Sequence, residues 1–419
     1  MIVCKFGGSS LCDANNIKNA AQITSKLHNP LIVVSAMGKR FNEDKKITDL
    51  LIEFCCKKNE RSKKTALLSE FYDRFMSVAT TLKVSDKIKK DLCFFIDNTD
   101  KFSDEYIISR GEYFTAKIFS AYSKIKFIDS AEFMRFDIDG CFLKKESSKL
   151  FNKKIFFAPL VTCGFYGQDE NGNIKLFERG GGDITAAYLC SFSDSNYYYN
   201  FTDVDGIYDS PPFCKNKNTI KTVNYSDAYF LASHGDNVLN PVSILPLICK
   251  NKKVIVKKSH LYSKENTVIS LGSKLKQNCF SYENSYIQVK ISISELCAKN
   301  KNIYDVFKLF MTDIILIEHV SKKADVLILF IKKKRIKNVA NILRRLNIQR
   351  YNISDTAALH FIFKNKRRAN LKTGQIKNMF SNLKITFYEK KFFVKNRVAF
   401  FIPTPDIEIL NNLANVIKE

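Results

Sequence analysis

The first 36 residues leave this chain few folds to choose from. Ile2, Val3, Cys4 and Phe6 are strand-type residues, and Gly7-Gly8-Ser9-Ser10 breaks the strand. A helical period follows, with Ile17, Ala20, Ala21, Ile23 and Leu27 on one face. Then comes Pro30-Leu-Ile-Val-Val-Ser35, an apolar run without alternation. Such a run fits a strand covered on both faces, as in a parallel sheet. The chain therefore opens on a β-α-β unit with a glycine turn at its first crossover.

Residues 48–151 read mainly as helix, and strands return around Phe127–Asp129 and Phe156–Gly164. Glycines gather at Gly164, Gly167, Gly172 and Gly180–Gly182, and a helix pattern runs on through Ala186, Ala187 and Leu189. Tyr197–Phe201 reads as a strand leading into Thr202-Asp-Val-Asp-Gly-Ile-Tyr208. This alternation predicts an α/β fold, a mainly parallel sheet sandwiched by helices, with ligands at the carboxyl ends of the strands.

A polar stretch near residues 273–285 marks a change. Beyond it the order is strand (Ile287–Ile291), helix (Ile303–Phe310), strands (Ile314–Glu318, Val326–Ile331) and helix (Ile336–Leu346). After Ser354 the order recurs: strand (Ala357–Phe363), helix (Thr373–Leu383), strand-like Lys384–Tyr388, strand (Val398–Ile402), helix (Ile407–Ile417). This weak repeat of about 65 residues predicts two small α+β modules. The expected domains are 1–275, 285–350 and 355–419, with the two modules either sequential or interleaved.

Length agrees, since 419 residues suit two or three domains. No apolar run approaches a bilayer span, and no basic segment followed by a long apolar stretch marks the N-terminus. A soluble, cytoplasmic protein is expected, with no membrane partner. The twelve cysteines lack metal-ligand spacing, so they are expected to be reduced and mostly buried. The formal charge of +25 raises a nucleic-acid partner. It is Lys-dominated and accompanied by no recognition motif, so no nucleic-acid role is expected. The five histidines are scattered without a nucleophile partner, and structural roles are expected for them.

Three segments carry chemistry. In Lys5-Phe-Gly-Gly-Ser-Ser10, glycines let the backbone approach a phosphate and helix N–H groups point at it, while Lys5 adds a charge. An ordinary glycine turn with a surface lysine is the plainer alternative. In Phe177-Glu-Arg-Gly-Gly-Gly-Asp-Ile-Thr-Ala-Ala187, three glycines make a second anion-binding turn beside Arg179, which can hold a carboxylate through paired hydrogen bonds. Asp183 there is otherwise only an N-cap. Thr202–Tyr208 puts two acidic side chains at a strand end, which suits a nucleotide or Mg²⁺, or else makes a surface turn.

Taken together, the segments resemble aspartate kinases of the amino acid kinase family. Lys5–Ser10 resembles the family's opening turn, and Val33-Val-Ser-Ala-Met-Gly-Lys-Arg40 with Lys46-Ile-Thr-Asp-Leu50 its second strand and loop. Arg110-Gly111-Glu112 resembles the pair that meets the substrate. Gly164-Phe-Tyr-Gly167 through Asp183 is similar to the second glycine loop, and Thr202–Tyr208 to the nucleotide turn. Val254-Ile-Val-Lys-Lys-Ser259 resembles the closing strand of the kinase domain, and the C-terminal repeat resembles paired ACT domains.

The resemblance implies a transfer of the ATP γ-phosphoryl group to the side chain of L-aspartate, with Mg²⁺ carried by ATP and no metal site of the chain's own. It implies Lys5 as the group stabilising the transferring phosphoryl, cradled by Gly7, Gly8 and Ser9, with Asp183 holding the lysine and loop. Thr202, Asp203, Asp205 and Tyr208 would contact ATP. Arg179 would bind the α-carboxylate and Glu112 the α-amino group, supported by Ser35, Thr48 and the position of Gly182. The product would enter lysine, threonine and methionine synthesis, and the ACT-like modules would build a homodimer or higher homo-oligomer. A glutamate or N-acetylglutamate kinase, or a weakened amino-acid sensor, is the competing reading. Gly182 stands where the family usually has Ser, Phe177-Glu178 replaces Leu-Gly, and the basic residue expected near Pro212-Phe213 is absent. The first module keeps Ile317-Glu-His-Val-Ser321 and Asp325 but has Lys322-Lys323 for Gly, and the second has Tyr388-Glu-Lys-Lys-Phe392. Feedback inhibition by lysine or threonine is accordingly expected to be weakened or lost.

Overall fold

The opening β-α-β unit forms the centre of an eight-stranded sheet in the computed structural model. The structure describes residues 1–57, 60–154, 159–177, 180–235, 238–259, 265–299, 314–321, 326–391 and 396–418. The chain divides into two compact units. The first comprises Met1–Ile207, Thr219–Ala232 and Asn237–Lys274. The second comprises Tyr208–Asn218, Ser233–Asp236 and Leu275–Glu419.

In the first unit, β1 (Ile2–Phe6), α1 (Ala14–Thr24) and β2 (Pro30–Val34) stand as the apolar pattern requires. All five residues of β2 are buried, as a strand covered on both faces must be. Four helices follow: α2 (Ile47–Cys56), α3 (Arg61–Thr81), α4 (Ser85–Asp97) and α5 (Asp104–Ser123). Phe71, Phe75, Phe95 and Phe114 join α3, α4 and α5 through ring contacts of 4.7–6.1 Å.

The chain then runs β3 (Lys126–Phe127), α6 (Lys144–Lys154), β4 (Leu160–Cys163) and a hairpin of β5 (Tyr166–Gln168) and β6 (Ile174–Leu176). It continues through α7 (Gly181–Phe192), β7 (Tyr197–Thr202), β8 (Thr222–Val223), α8 (Tyr225–Ser233), α9 (Pro241–Ile248), β9 (Lys253–Lys258) and β10 (Asn266–Ile269). The sheet order is β3-β4-β2-β1-β7-β9-β10-β8, and only the β9–β10 pairing is antiparallel. The crossovers bring the carboxyl ends of β1, β2, β4 and β7 together, where such folds bind ligands. The strand expected over Phe156–Gly164 is shorter, since it begins at Leu160, and residues 155–158 lie outside the described residues.

The second unit is one six-stranded antiparallel sheet in the order β12-β13-β11-β14-β16-β15. Its strands are β11 (Cys279–Ser292), β12 (Ile314–Ser321), β13 (Val326–Lys332), β14 (Tyr351–Ile362), β15 (Tyr388–Lys391) and β16 (Arg397–Pro403). The long β11 pairs with β13 along one edge and β14 along the other, so both repeat modules share one sheet. Val339, Ile342 and Leu343 of the helix Ile336–Arg345 cover Ile287, Val289 and Leu329. Helices Lys366–Asn382 and Ile407–Lys418 cover Phe361 and Phe400. The helix expected at Ile303–Phe310 lies outside the described residues.

Lys384–Phe387 is not strand. Lys384 takes φ 55° and the Ile385 N–H returns to the Phe380 carbonyl, so these residues cap the preceding helix, and β15 starts at Tyr388. The segment after the Thr202–Tyr208 turn belongs to the second unit. Asp209 accepts from the Asn218 N–H at 3.0 Å and Gln277 Nε2 at 3.1 Å, and Asn411 Oδ1 accepts from the Lys215 N–H at 2.9 Å. No helix among the described residues is long and apolar enough to cross a membrane.

Candidate active site

Glycines set the site's geometry. β1 ends at Phe6, and the Gly7 N–H donates to the Phe201 carbonyl at the end of β7. Gly8 lies so close to the segment after β2 that a Cβ there would stand 2.8 Å from the Ala36 carbonyl oxygen. The Gly38 N–H donates to the Gly8 carbonyl at 2.8 Å. The second glycine run opens α7, where Gly180 takes φ 87°, a conformation that favours glycine. A Cβ at Gly164 would stand 2.7 Å from the Gly182 Cα, so the β4 turn and the start of α7 touch backbone to backbone.

Lys5 and Asp183 meet across these turns, Nζ to Oδ1 at 2.8 Å, with side chains 12% exposed. The other carboxylate oxygen accepts from the Asn240 N–H at 3.3 Å. Asp183 is not the N-cap, a place Gly180 takes, so its carboxylate is directed to the lysine. Behind the pair, Tyr198 is fully buried, and burial followed by the Asp183 charge raises its phenol well above the ordinary range.

Glu112 enters from α5. A Cβ at Gly111 would stand 2.9 Å from the Ala36 Cβ, so glycine lets this helix approach the β2 segment. The neighbouring Arg110 points away, stacked on Tyr106 and Tyr113 at 4.1 and 4.4 Å. Glu112 is buried, and its Oε2 has no hydrogen-bond partner among the described residues. Burial pushes its carboxyl up to about 8, against the Ala36 N–H, its own N–H and Arg110, which act the other way.

These groups line a cavity of about 950 Å³. Of the residues expected from the sequence, Lys5, Gly8, Ser9, Ser35, Thr48, Glu112, Gly182, Asp183, Thr202 and Asp203 border it. Gly7 does not, although its Cα faces Lys5: a Cβ built there would lie 3.5 Å from Nζ. Asp205 also lies off the lining, because the turn folds back through Gly206 and the Ile207 N–H donates to Thr267 Oγ1 at 2.9 Å. Tyr208 belongs to the second unit. Arg179 lies outside the described residues, as does Glu178.

The cavity also holds residues that motif reading passed over. Lys39, Arg40 and Lys46 bring three cations from the segment after β2. Phe165 borders it in a left-handed conformation, φ 81°, unusual for a bulky side chain. Its N–H donates to Thr185 Oγ1 and its carbonyl accepts from the Phe177 N–H, which hold it there. No periodicity or spacing announces such a strained aromatic. One wall is thus cationic and the other presents a buried carboxyl, which suits a polyphosphate beside a small molecule carrying an ammonium group.

A profile of the amino acid kinase family matches residues 1–258, and the chain belongs to that family. Within it, Bacillus subtilis aspartokinase 3 is 28% identical over 286 residues, covering 64% of this chain and 63% of that protein. The Chlamydia trachomatis aspartokinase is 24% identical over 286 residues, with 64% of each chain covered. The chain thus aligns with less than two thirds of the length of these relatives. The solved structure of Clostridium acetobutylicum aspartate kinase superposes with a TM-score of 0.79 at 25% identity, covering 100% of both chains. Escherichia coli aspartokinase III, solved in complex with aspartate and ADP, superposes with a TM-score of 0.81 at 18% identity, covering 100% of this chain and 99% of that one.

Proposed function

We propose that the chain is an aspartate kinase that transfers the γ-phosphoryl group of Mg–ATP to the β-carboxylate of L-aspartate. Glu112 carries this reading: a buried carboxyl with an oxygen that finds no partner among the described residues, bordering the same cavity as Lys5. An ammonium is the partner that such an oxygen lacks. The resemblance to aspartate kinases in sequence supports the same acceptor.

Phosphoryl transfer asks a protein mainly for positioning and charge neutralisation. Lys5, held by Asp183, would face the γ-phosphoryl group as charge passes from the acceptor oxygen to the β–γ bridging oxygen. The N–H groups of the Gly8 turn would take the phosphate oxygens, with Lys39, Arg40 and Lys46 around them. Mg²⁺ would arrive with the nucleotide. Ser35 and Thr48 would hold the aspartate beside Glu112, and Arg179 is proposed for its α-carboxylate. The products are an acyl phosphate and ADP, which places the reaction ahead of lysine, threonine and methionine. We assign the reaction to the cytoplasm and the second unit to ACT-type modules that join copies of the chain. Its altered loops, Lys322-Lys323 and Tyr388–Phe392, favour weakened feedback by lysine or threonine.

The test is ATP turnover with L-aspartate in the presence of hydroxylamine, with L-glutamate as control. Aspartyl hydroxamate is the expected product. Hydroxamate from glutamate alone would transfer the proposal to another acceptor, and none from either would end it.

A further inference from the structure

Arg74 lies in α3, outside the cavity lining, yet its side chain is 2% exposed. A cation so buried needs partners. Among the described residues it finds three partners, all in one segment, residues 38–46, which links β2 to α2. Its Nη2 donates to the Gly38 carbonyl, its Nη1 donates to the Lys45 carbonyl, and Nη2 lies 3.3 Å from Asp44 Oδ2. Arg40 closes the other side of Asp44, with Nε and Nη2 each 2.9 Å from a carboxylate oxygen. The two arginines hold that carboxyl well below the usual range.

The segment so held touches the site at both ends. At its start, Gly38 donates to the Gly8 carbonyl, and a Cβ at Gly38 would stand 2.5 Å from the Gly8 carbonyl carbon. Just past its far end, the Ile47 N–H donates to the Met37 carbonyl at 3.1 Å, immediately before Thr48. Between the two ends come Lys39, Arg40 and Lys46, all bordering the cavity.

We propose that Arg74 is a positioning residue for the phosphate turn. By gripping the segment at Gly38 and Lys45 it seats Gly38 against Gly8 and holds three cations over the cavity. Only a planar fork reaches two carbonyls and a carboxylate at once, so lysine is no substitute. The proposal rests on the kinase reading of the cavity.

Arg74→Lys tests it through readouts that a merely structural arginine would not move. Trypsin cleaves after Lys39, Arg40, Lys45 and Lys46, so cleavage within the segment reports its tether directly. The expected variant melts below the parent but still folds, is cut there roughly 10-fold faster, binds Mg–ATP about 10-fold more weakly and turns over about 10²-fold more slowly. Should it not fold, Asp44→Asn reads the same tether, with faster cutting and weaker Mg–ATP binding. A lower melting temperature with unchanged cleavage overturns the proposal. So does faster cleavage with unchanged affinity for Mg–ATP. A parent chain that binds Mg–ATP but forms no aspartyl hydroxamate refutes the aspartate acceptor alone, because the affinity for Mg–ATP still reads Arg74.

Discussion

Lys5 and Asp183 form an ion pair of 2.8 Å between the strand that opens the chain and the helix after the second glycine run. Both side chains are nearly buried, so each serves as the other's ion-pair partner away from bulk water. The lysine is thereby aimed and still has room for a phosphoryl oxygen.

Replacing Lys5 by Met should lower turnover by about 10²–10³ while leaving the affinity for aspartate within a few-fold. Asp183→Asn should lower it too, by releasing the lysine rather than removing it. Steady-state kinetics check both. Turnover of Lys5→Met within a few-fold of the parent would refute the assigned role.

Glu112 predicts a pH dependence of stability. Its folded carboxyl titrates at about 8 against 4.5 unfolded, so the folded chain keeps a proton that the unfolded chain sheds. Stability from this group is complete below about 4.5 and is lost as the pH rises through about 8. The slope within that window approaches about 1.4 kcal/mol per pH unit. Melting curves of the parent and Glu112→Gln should therefore converge at low pH and separate on the alkaline side. Aspartate binding at neutral pH should release a proton, measurable by calorimetry in buffers of different ionisation enthalpy.

A Cβ at position 182 would stand 2.8 Å from Ser35 Oγ and 3.6 Å from Lys5 Cε. Gly182→Ala should thus turn the Ser35 hydroxyl away and raise the KM for aspartate about 3- to 10-fold, with kcat changed less. In a cycle with Ser35→Ala the two changes should couple by about 1 kcal/mol. Strict additivity would show that the glycine serves some other purpose.

His360 is buried in the second unit with its ring 4.2 Å from that of His234. Burial, then His234, Lys332 and Lys390, push it well below 6.5. The unfolded chain gains a proton below about 6.5 that the folded chain refuses, so stability from this group falls as the pH drops through that value. His360→Phe should flatten the acid side of the melting-temperature profile.

Much of this was legible in the sequence because strand and helix periods are local. Gly7-Gly8, Gly180–Gly182 and the buried run of β2 announced turns and a parallel sheet, and Lys5 and Asp183 could be named from those turns, Glu112 only from the resemblance to aspartate kinases. Thr202 and Asp203 were read from their turn, and Ser35 and Thr48 from the resemblance; all four reach one cavity. The sequence could not show that Asp205 turns away with Gly206, because Thr267, distant in the chain, takes the Ile207 N–H. Nor could it show that β11 serves two modules, since strand pairing is a choice among distant partners. Arg74 looks in the sequence like one more cation on a helix. Only tertiary structure buries it, and only burial makes its contacts with Gly38, Asp44 and Lys45 matter. Local pattern determined which elements form and where the glycine turns fall, whereas long-range packing decided what each charge faces and whether water can reach it.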